Sequence, residues 1–126
     1  MFANYDYTNF PIVKVDISGV ITRDKDFTDF TKQWLDLYDA GLNFEFIFDT
    51  KNAGFVNIKY CIYMAFFIKL LKKRKKQSLT KSTIFVYNNY IFKLFKFIFY
   101  MEPPVAPVYL YNISNNEEKL EIIDNK

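Results

Sequence analysis

Hydrophobic and polar residues alternate along residues 12–18, a period of two that is typical of a β-strand with one buried face. The apolar residues that follow recur at spacings of three and four. This pattern predicts an amphipathic helix from Asp24 or Asp26 to about Ala40. Gly41 comes next, where a helix end favours a residue that tolerates positive φ. The first third of the chain therefore predicts a strand followed by a helix.

The same order repeats along the rest of the chain. The pattern predicts a strand at 43–49, a helix at 56–77, a strand at 82–87, a helix at 88–101 and a strand at 105–111. Strands that alternate with helices predict an α/β domain with a mixed or largely parallel sheet. We interpret residues 1–112 as one such domain, with three main helices and an extra N-terminal edge strand. Residues 113–126 are polar enough to be a C-terminal tail.

Composition narrows the function classes. The 126 residues are 51% hydrophobic and 25% charged, which is globular composition. One Cys and no His exclude a disulfide framework, thiolate-rich or His-ligated metal sites and His-dependent catalysis. We therefore expect a non-enzymatic protein without cofactor or metal. With no signal peptide and no transmembrane segment in the pattern, we expect an intracellular, reducing compartment. Phe, Tyr, Ile, Asn and Lys have AT-rich codons and make up half of the chain, which suggests an AT-rich genome.

The charges are segregated along the chain. Residues 55–101 contain ten basic residues and no acidic one, between two acidic ends. Half of these basic residues form one run at the end of the second predicted helix: Lys72, Lys73, Arg74, Lys75 and Lys76. Such a run offsets the helix macrodipole as a solvated helix end. Alternatively, the run faces a partner such as a nucleic acid or an anionic surface.

Several segments resemble STAS domains, the fold of bacterial anti-sigma-factor antagonists. The strand and glycine at residues 12–21 are similar to the opening of that family. Residues 46–49 and 54–57 are similar to its second strand and the loop before its central helix, and 88–101 to its third helix. The resemblance implies a mixed sheet with helices in the order β-α-β-α-β-α-β, and a small module that binds proteins without catalysis.

The resemblance also implies a switch that this chain lacks. In the family, a partner kinase phosphorylates a Ser or Thr at the start of the central helix, often within an Asp-Ser pair. Asn57 stands at the position of the Asp, and Ile58 at the position of the phosphoacceptor. Because Ile cannot be phosphorylated, we expect the scaffold without its phosphorylation switch.

A loop after the second strand of the α/β unit is a candidate ligand site. Asp49 ends that strand, Thr50 begins the loop, and Asn57 is the candidate N-cap of the next helix, which is where α/β sheets bind ligands. The loop lacks the paired glycines of a phosphate-binding loop. Asp49 is also expected to accept loop N–H groups, and Asn57 to cap the helix. We therefore expect no small-molecule ligand here, and an inert, buried Cys61 in the helix.

The third helix carries more apolar residues than one buried face needs. Apart from Lys93 and Lys96, residues 91–99 are all apolar, whereas a helix on a sheet needs an apolar stripe of only about 100°. An exposed apolar patch usually marks an interface. We expect a protein partner or a second copy of the chain to cover Ile91, Phe92, Phe95, Ile98 and Phe99. Alternatively, the C-terminal tail or the N-terminal strand covers them.

Three functions follow from these patterns. The first is a non-enzymatic, STAS-like protein-interaction or scaffold module. The second is a structural subunit of a larger assembly, ribonucleoprotein or viral, that contacts nucleic acid through the basic stretch at 69–81. The third is a small-molecule or nucleotide site in the loop after Asp49.

Overall fold

A computed structural model describes residues 2–113 and 118–125. Strands and helices interleave as the sequence predicts, and the predicted α/β class is confirmed. The elements in chain order are β1 (Ala3–Asp6), β2 (Ile12–Gly19), α1 (Asp24–Ala40), β3 (Phe44–Ala53), α2 (Ile58–Leu71), β4 (Leu79–Val86), α3 (Asn89–Met101), β5 (Val108–Asn112) and β6 (Lys119–Ile123).

All six strands form one mixed sheet in the order β1-β2-β3-β4-β5-β6. Strands β2 to β5 are parallel, and β1 and β6 pair antiparallel at the two edges. Each crossover from β2 to β5 advances one strand in the same direction. Because such crossovers are almost always right-handed, successive helices lie on the same face of the sheet.

The core lies between that face and the helices. Trp34 of α1 packs edge-to-face on Phe46 of β3, with ring centroids 4.8 Å apart, and on Phe67 of α2 at 5.4 Å. Phe44 and Phe46 are almost completely buried, and Phe48 is buried beside them. The alternating Phe residues of β3 thus anchor both α1 and α2 to the centre of the sheet.

The opposite face of the sheet carries none of the helices in the described part of the chain. Phe85 of β4 and Tyr111 of β5 stack there with ring centroids 5.4 Å apart. Leu120 and Ile122 of β6 are exposed on the same face, beside Tyr111 and Tyr109. This open face is therefore apolar and aromatic at the β4–β6 end.

Local hydrogen bonds explain the helix ends. The N-cap of α1 is Arg23, not Asp24 or Asp26 as predicted, and the Asp26 carboxylate accepts the Arg23 N–H at 3.3 Å. Gly41 adopts the predicted left-handed conformation with φ 77°, and its N–H donates to the Tyr38 carbonyl. At the end of α2, the Gln77 side chain donates to the Leu71 carbonyl at 2.7 Å. Gln77 thus caps a helix that ends at Leu71, six residues earlier than predicted.

Two further boundaries differ from the sequence prediction. Strand β3 continues to Ala53, because residues 52 and 53 pair with the end of β2. Residues 119–123, predicted to be part of a polar tail, form β6 along the edge of β5. A side-chain contact between Lys96 of α3 and Glu121 holds this strand against the helix layer. Residues 114–117 and 126 of the predicted tail lie outside the described residues.

Candidate protein-interaction surface

The structure corrects the predicted interface on α3 at two of its five residues. Ile91 and Ile98 are buried, so the prediction that a partner covers them is wrong. Phe92, Phe95 and Phe99 are half-buried and pack against the core, and for them the prediction stays a prediction. The sheet lies under α3 and α2 lies along its flank, so more than one face of α3 is in contact with the chain itself.

The exposed apolar surface is on α2 instead. Five apolar residues of this helix point outward, each between 38% and 62% exposed: Ile58, Ile62, Tyr63, Phe66 and Leu70. We call these five residues the α2 face. Four of them follow one another at intervals of four, which places them on one side of the helix. The α2 face is an apolar stripe that is open to solvent at Phe66 and Leu70 and partly covered at Tyr63, whose ring lies 5.9 Å from that of Phe27 on α1.

The charged residues beside the α2 face are basic. Lys59 and Lys69 are the charged residues of the helix, both are exposed, and the helix contains no acid. Lys59 lies 3.5 Å from the Asp24 carboxylate of α1, which raises the pKa of the Lys59 amine. The α2 face is therefore apolar along its centre and has a lysine near each end, of which Lys59 is paired with Asp24.

A notch next to the α2 face gives this surface a concave shape. Its volume is about 170 Å³, and it is lined by Ile62, Ala65, Phe66 and Lys69 of α2 and by Met101 and Glu102 after them in the chain. Glu102 contacts Lys72 at the end of α2. The notch thus combines four apolar residues with one base and one acid.

Most of the basic run is paired within the chain. Arg74 donates to the Asp39 carboxylate of α1 at 2.8 Å. Lys72 pairs with Glu102, and Lys76 donates to the Gly41 carbonyl. Lys73 and Lys75 are exposed and make no such contact within the described residues. Three of the five predicted patch residues thus tie the end of α2 to α1 and α3.

The candidate ligand loop does not come together as one site. Asp49 and Thr50 are consecutive residues of β3 and point to opposite faces of the sheet. The Asp49 carboxylate accepts the Lys51 N–H at 2.9 Å, and the buried Thr50 hydroxyl donates to the Phe85 carbonyl at 2.8 Å. Asn57 caps α2 by accepting the Lys59 N–H at 2.9 Å. Each polar group serves the fold, and Thr50 is in a strand rather than a loop.

The residues that this chain offers for catalysis are few and separate. Cys61 is buried against Ile68 and Ile98, and burial raises the pKa of its thiol. Within residues 2–113 and 118–125, no three His, Cys, Asp or Glu side chains lie close enough to hold a metal ion. Ile58, at the position where the resemblance places a phosphoacceptor, is the exposed first residue of α2.

Comparisons with protein-family models, curated proteins and solved structures find no match. Among the described residues, every helix is too short or too polar to cross a membrane. The structure is therefore the main evidence on function, and its clearest outward-facing feature is the α2 face.

Sequence reasoning missed the α2 face for a physical reason. Residues 58–71 contain apolar side chains on every side, so their periodicity does not distinguish the outer side from the inner one. The available signal was the spacing of Ile58, Ile62, Phe66 and Leu70, together with the position of α2 between two other helices. A helix that lies between two others on a sheet keeps one side open to solvent. When such a helix is apolar on every side, some of its apolar residues are therefore exposed.

Proposed function

We propose that this chain is a non-enzymatic protein-interaction module that binds its partner through the α2 face. The observation that carries the proposal is the outward stripe of five apolar side chains on a helix whose opposite side is buried against the rest of the fold. Exposed apolar stripes of this kind mark interaction sites in proteins that are otherwise well packed. The resemblance to STAS domains stays a prediction, and it supports the same conclusion because that family binds proteins.

Charge indicates the chemistry of the partner. Lys59 and Lys69 flank the stripe, and residues 55–101 contain no acid at all. A second copy of the chain would place these lysines opposite like charges, which disfavours self-association through α2. We therefore expect a different protein, with apolar side chains for the stripe and carboxylates opposite the two lysines.

The notch favours a protein over a lipid surface. It lies between Phe66 and Met101, and its rim carries both Lys69 and Glu102. A shaped pocket with mixed charges suits one anchoring side chain of a folded partner or peptide, as in the central pockets of protein interfaces. A lipid surface needs no such pocket, and Glu102 would be repelled by anionic headgroups.

The nucleic-acid alternative receives less support. Three cations of the basic run have partners within the chain, which leaves Lys73 and Lys75 free to contact phosphates. The aromatic residues of the open sheet face offer stacking surfaces, and the charges on that face are mixed: Asp16, Glu45 and Asp49 lie there with Lys14 and Lys81. Because a face of mixed charge attracts a polyanion less than a basic one does, we place the assembly-subunit function second.

Site-specific photo-crosslinking tests the proposal. A photoreactive amino acid replaces Phe66 on α2 or, as the control, the exposed Lys32 on α1. The proposal predicts a protein adduct from position 66 in an extract of the source cell and none of the same mass from position 32. Unlabelled wild-type protein and Lys32→Asp should compete for this adduct, whereas Phe66→Asp should not. Equal competition by Phe66→Asp would overturn the proposal.

Two measurements on the purified chain test the two other possible occupants of the α2 face, a second copy of the chain and a membrane surface. Sedimentation equilibrium should show a monomer. A dimer that the Phe66→Asp substitution dissociates would identify a second copy of the chain, rather than a different protein, as the occupant of the α2 face. Cosedimentation with vesicles of phosphatidylcholine and phosphatidylserine should leave the protein in the supernatant. Vesicle binding that the Phe66→Asp substitution abolishes would identify a membrane surface, rather than a protein, as the occupant of the α2 face.

A further inference from the structure

An apolar cavity of about 140 Å³ lies between the helix layer and the sheet. Its lining comes from all three helices and the parallel strands. Trp34 of α1, Cys61 of α2 and Ile98 of α3 contribute from the helices, and Phe48, Ile84 and Val108 from the strands. Protein interiors leave few voids larger than a water molecule, so a space of this size is unusual for a chain of this length.

The chemistry of the lining selects uncharged, apolar ligands. The lining contains no acid and no base. The Thr50 hydroxyl, one of its few polar groups, already donates to the Phe85 carbonyl. The Tyr60 hydroxyl donates to the Asp24 carboxylate on α1. The Trp34 indole N–H is the one lining donor among the described residues that is buried without a partner, and the lining has no counter-ion for a charge. A charged molecule would lose its hydration here without gaining an ion pair.

The size of the cavity sets the size of the ligand. Engineered apolar cavities of about 150 Å³ in other proteins stay dry and bind benzene or xenon. The cavity here has nearly the same volume. Some lining residues, among them Phe27, Val56 and Val105, are half-exposed, so the space extends to the surface. Val56 belongs to the connection between β3 and α2, which has no helix or strand of its own and offers an entry route.

We propose that this cavity is a binding site for one small, uncharged, apolar molecule, the size of an aromatic ring or a short branched alkyl chain. The sequence alone does not predict this cavity, because the lining residues come from separate segments that only the fold brings together. The proposal does not rest on the α2 face: the cavity is beneath α2 and the α2 face is on its outer side.

Benzene is the probe that tests this site, and benzoate is its charged control. At a benzene concentration about ten times its Kd, we expect the Tm of the full chain to rise by roughly 3–6 °C, with a much smaller rise in benzoate at the same concentration. Trp34 is the one tryptophan of the chain and lines the cavity, so its fluorescence should change and saturate with benzene. Absence of both effects in the wild-type chain would overturn the proposal.

Two cavity-filling variants give the matched controls. Cys61→Leu and Ala106→Leu each place a larger side chain at a buried lining position. We expect both to lose the Tm rise in benzene and the fluorescence change. A full benzene response in a folded filled variant would also overturn the proposal. If one variant does not fold, the other provides the comparison, and the saturable Trp34 signal of the wild type decides in either case.

Discussion

Phe66 and Phe67 are neighbours in α2, about 100° apart around the helix axis, and Phe66 faces solvent whereas Phe67 faces the core. Phe67 is 8% exposed, with its ring 5.4 Å from that of Trp34, whereas Phe66 is 62% exposed beside the notch. The two side chains have the same size and chemistry, so burial is the main difference between them. This pair separates what α2 contributes to folding from what it offers to a partner.

Replacing each of these residues by Ala should affect stability very differently. Phe67→Ala leaves a hole between α1, α2 and the sheet and should lower the free energy of unfolding by about 3–5 kcal/mol. Phe66→Ala removes an exposed ring and should change it by less than about 0.5 kcal/mol. Urea unfolding followed by circular dichroism measures both. A loss above about 2 kcal/mol for Phe66→Ala would mean that the α2 face is part of the core.

The N-terminus of α2 provides a second prediction. The Asn57 side chain accepts the Lys59 N–H, and the first turn of the helix has no acidic residue. Asn57→Ala should therefore cost about 1 kcal/mol. Asn57→Asp keeps the cap and adds a negative charge at the positive end of the helix dipole, so it should be at least as stable as the wild type. Thermal unfolding compares the three proteins; equal stability of Asn57→Ala and wild type would contradict the capping role.

Two buried tyrosines predict a loss of stability at alkaline pH. Burial raises the pKa of Tyr38 to about 12, and burial together with Tyr7 raises that of Tyr5 further. An unfolded tyrosine titrates near about 10, so above this pH the unfolded state holds fewer protons than the folded state. The free energy of unfolding should thus fall as pH rises from about 10 toward 12 and beyond.

Phe variants isolate the tyrosine contribution from that of the many lysines. The slope of the unfolding free energy against pH is proportional to the number of protons released on unfolding. Tyr5→Phe should lower that number by up to one in this pH window, and Tyr38→Phe should lower it too. Urea midpoints measured between about pH 8 and 12 give the slope. The same slope in both variants and the wild type would contradict the role of burial.

The basic run predicts weak nucleic-acid binding at most. Lys73 and Lys75 are the exposed cations of the run without a partner in the described part of the chain, and the other three contact groups of the chain itself. Each phosphate contact contributes about one unit to the salt dependence of binding, so we expect a slope of about two or less for single-stranded RNA. Fluorescence anisotropy at several salt concentrations measures it. A steep slope that Lys73→Gln and Lys75→Gln reduce would favour the assembly-subunit function.

The fold was predictable because local pattern and tertiary environment agree in most elements. Residues 12–18 alternate because one face of β2 packs under the helices, and Gly41 ends α1 in the left-handed conformation. Strand β6 was not predictable in the same way. It is five residues long, lies at an edge and follows a polar segment, and its position depends on pairing with β5 and on the contact between Glu121 and Lys96.

The interaction surface was harder to predict because it depends on which helix is covered on more sides. Both α2 and α3 are apolar around most of their circumference, and the sequence does not say how much of each the neighbouring elements bury. The sequence pattern predicts that the uncovered apolar surface is on α3 and includes Ile91 and Ile98, but both residues are buried. The exposed apolar side chains are Phe66 and the other residues of the α2 face, because the outer side of α2 faces solvent.

The most direct test is the affinity of the crosslinked partner for the wild-type chain and for Phe66→Asp, measured by titration calorimetry. If Phe66 anchors the contact, its loss should cost at least about 2 kcal/mol, which is roughly a 30-fold weaker Kd. Lys32→Asp, on the exposed side of α1, should bind as the wild type does. A Phe66→Asp variant that is folded and binds the partner within twofold of the wild-type Kd would contradict the assignment of the α2 face as the binding surface.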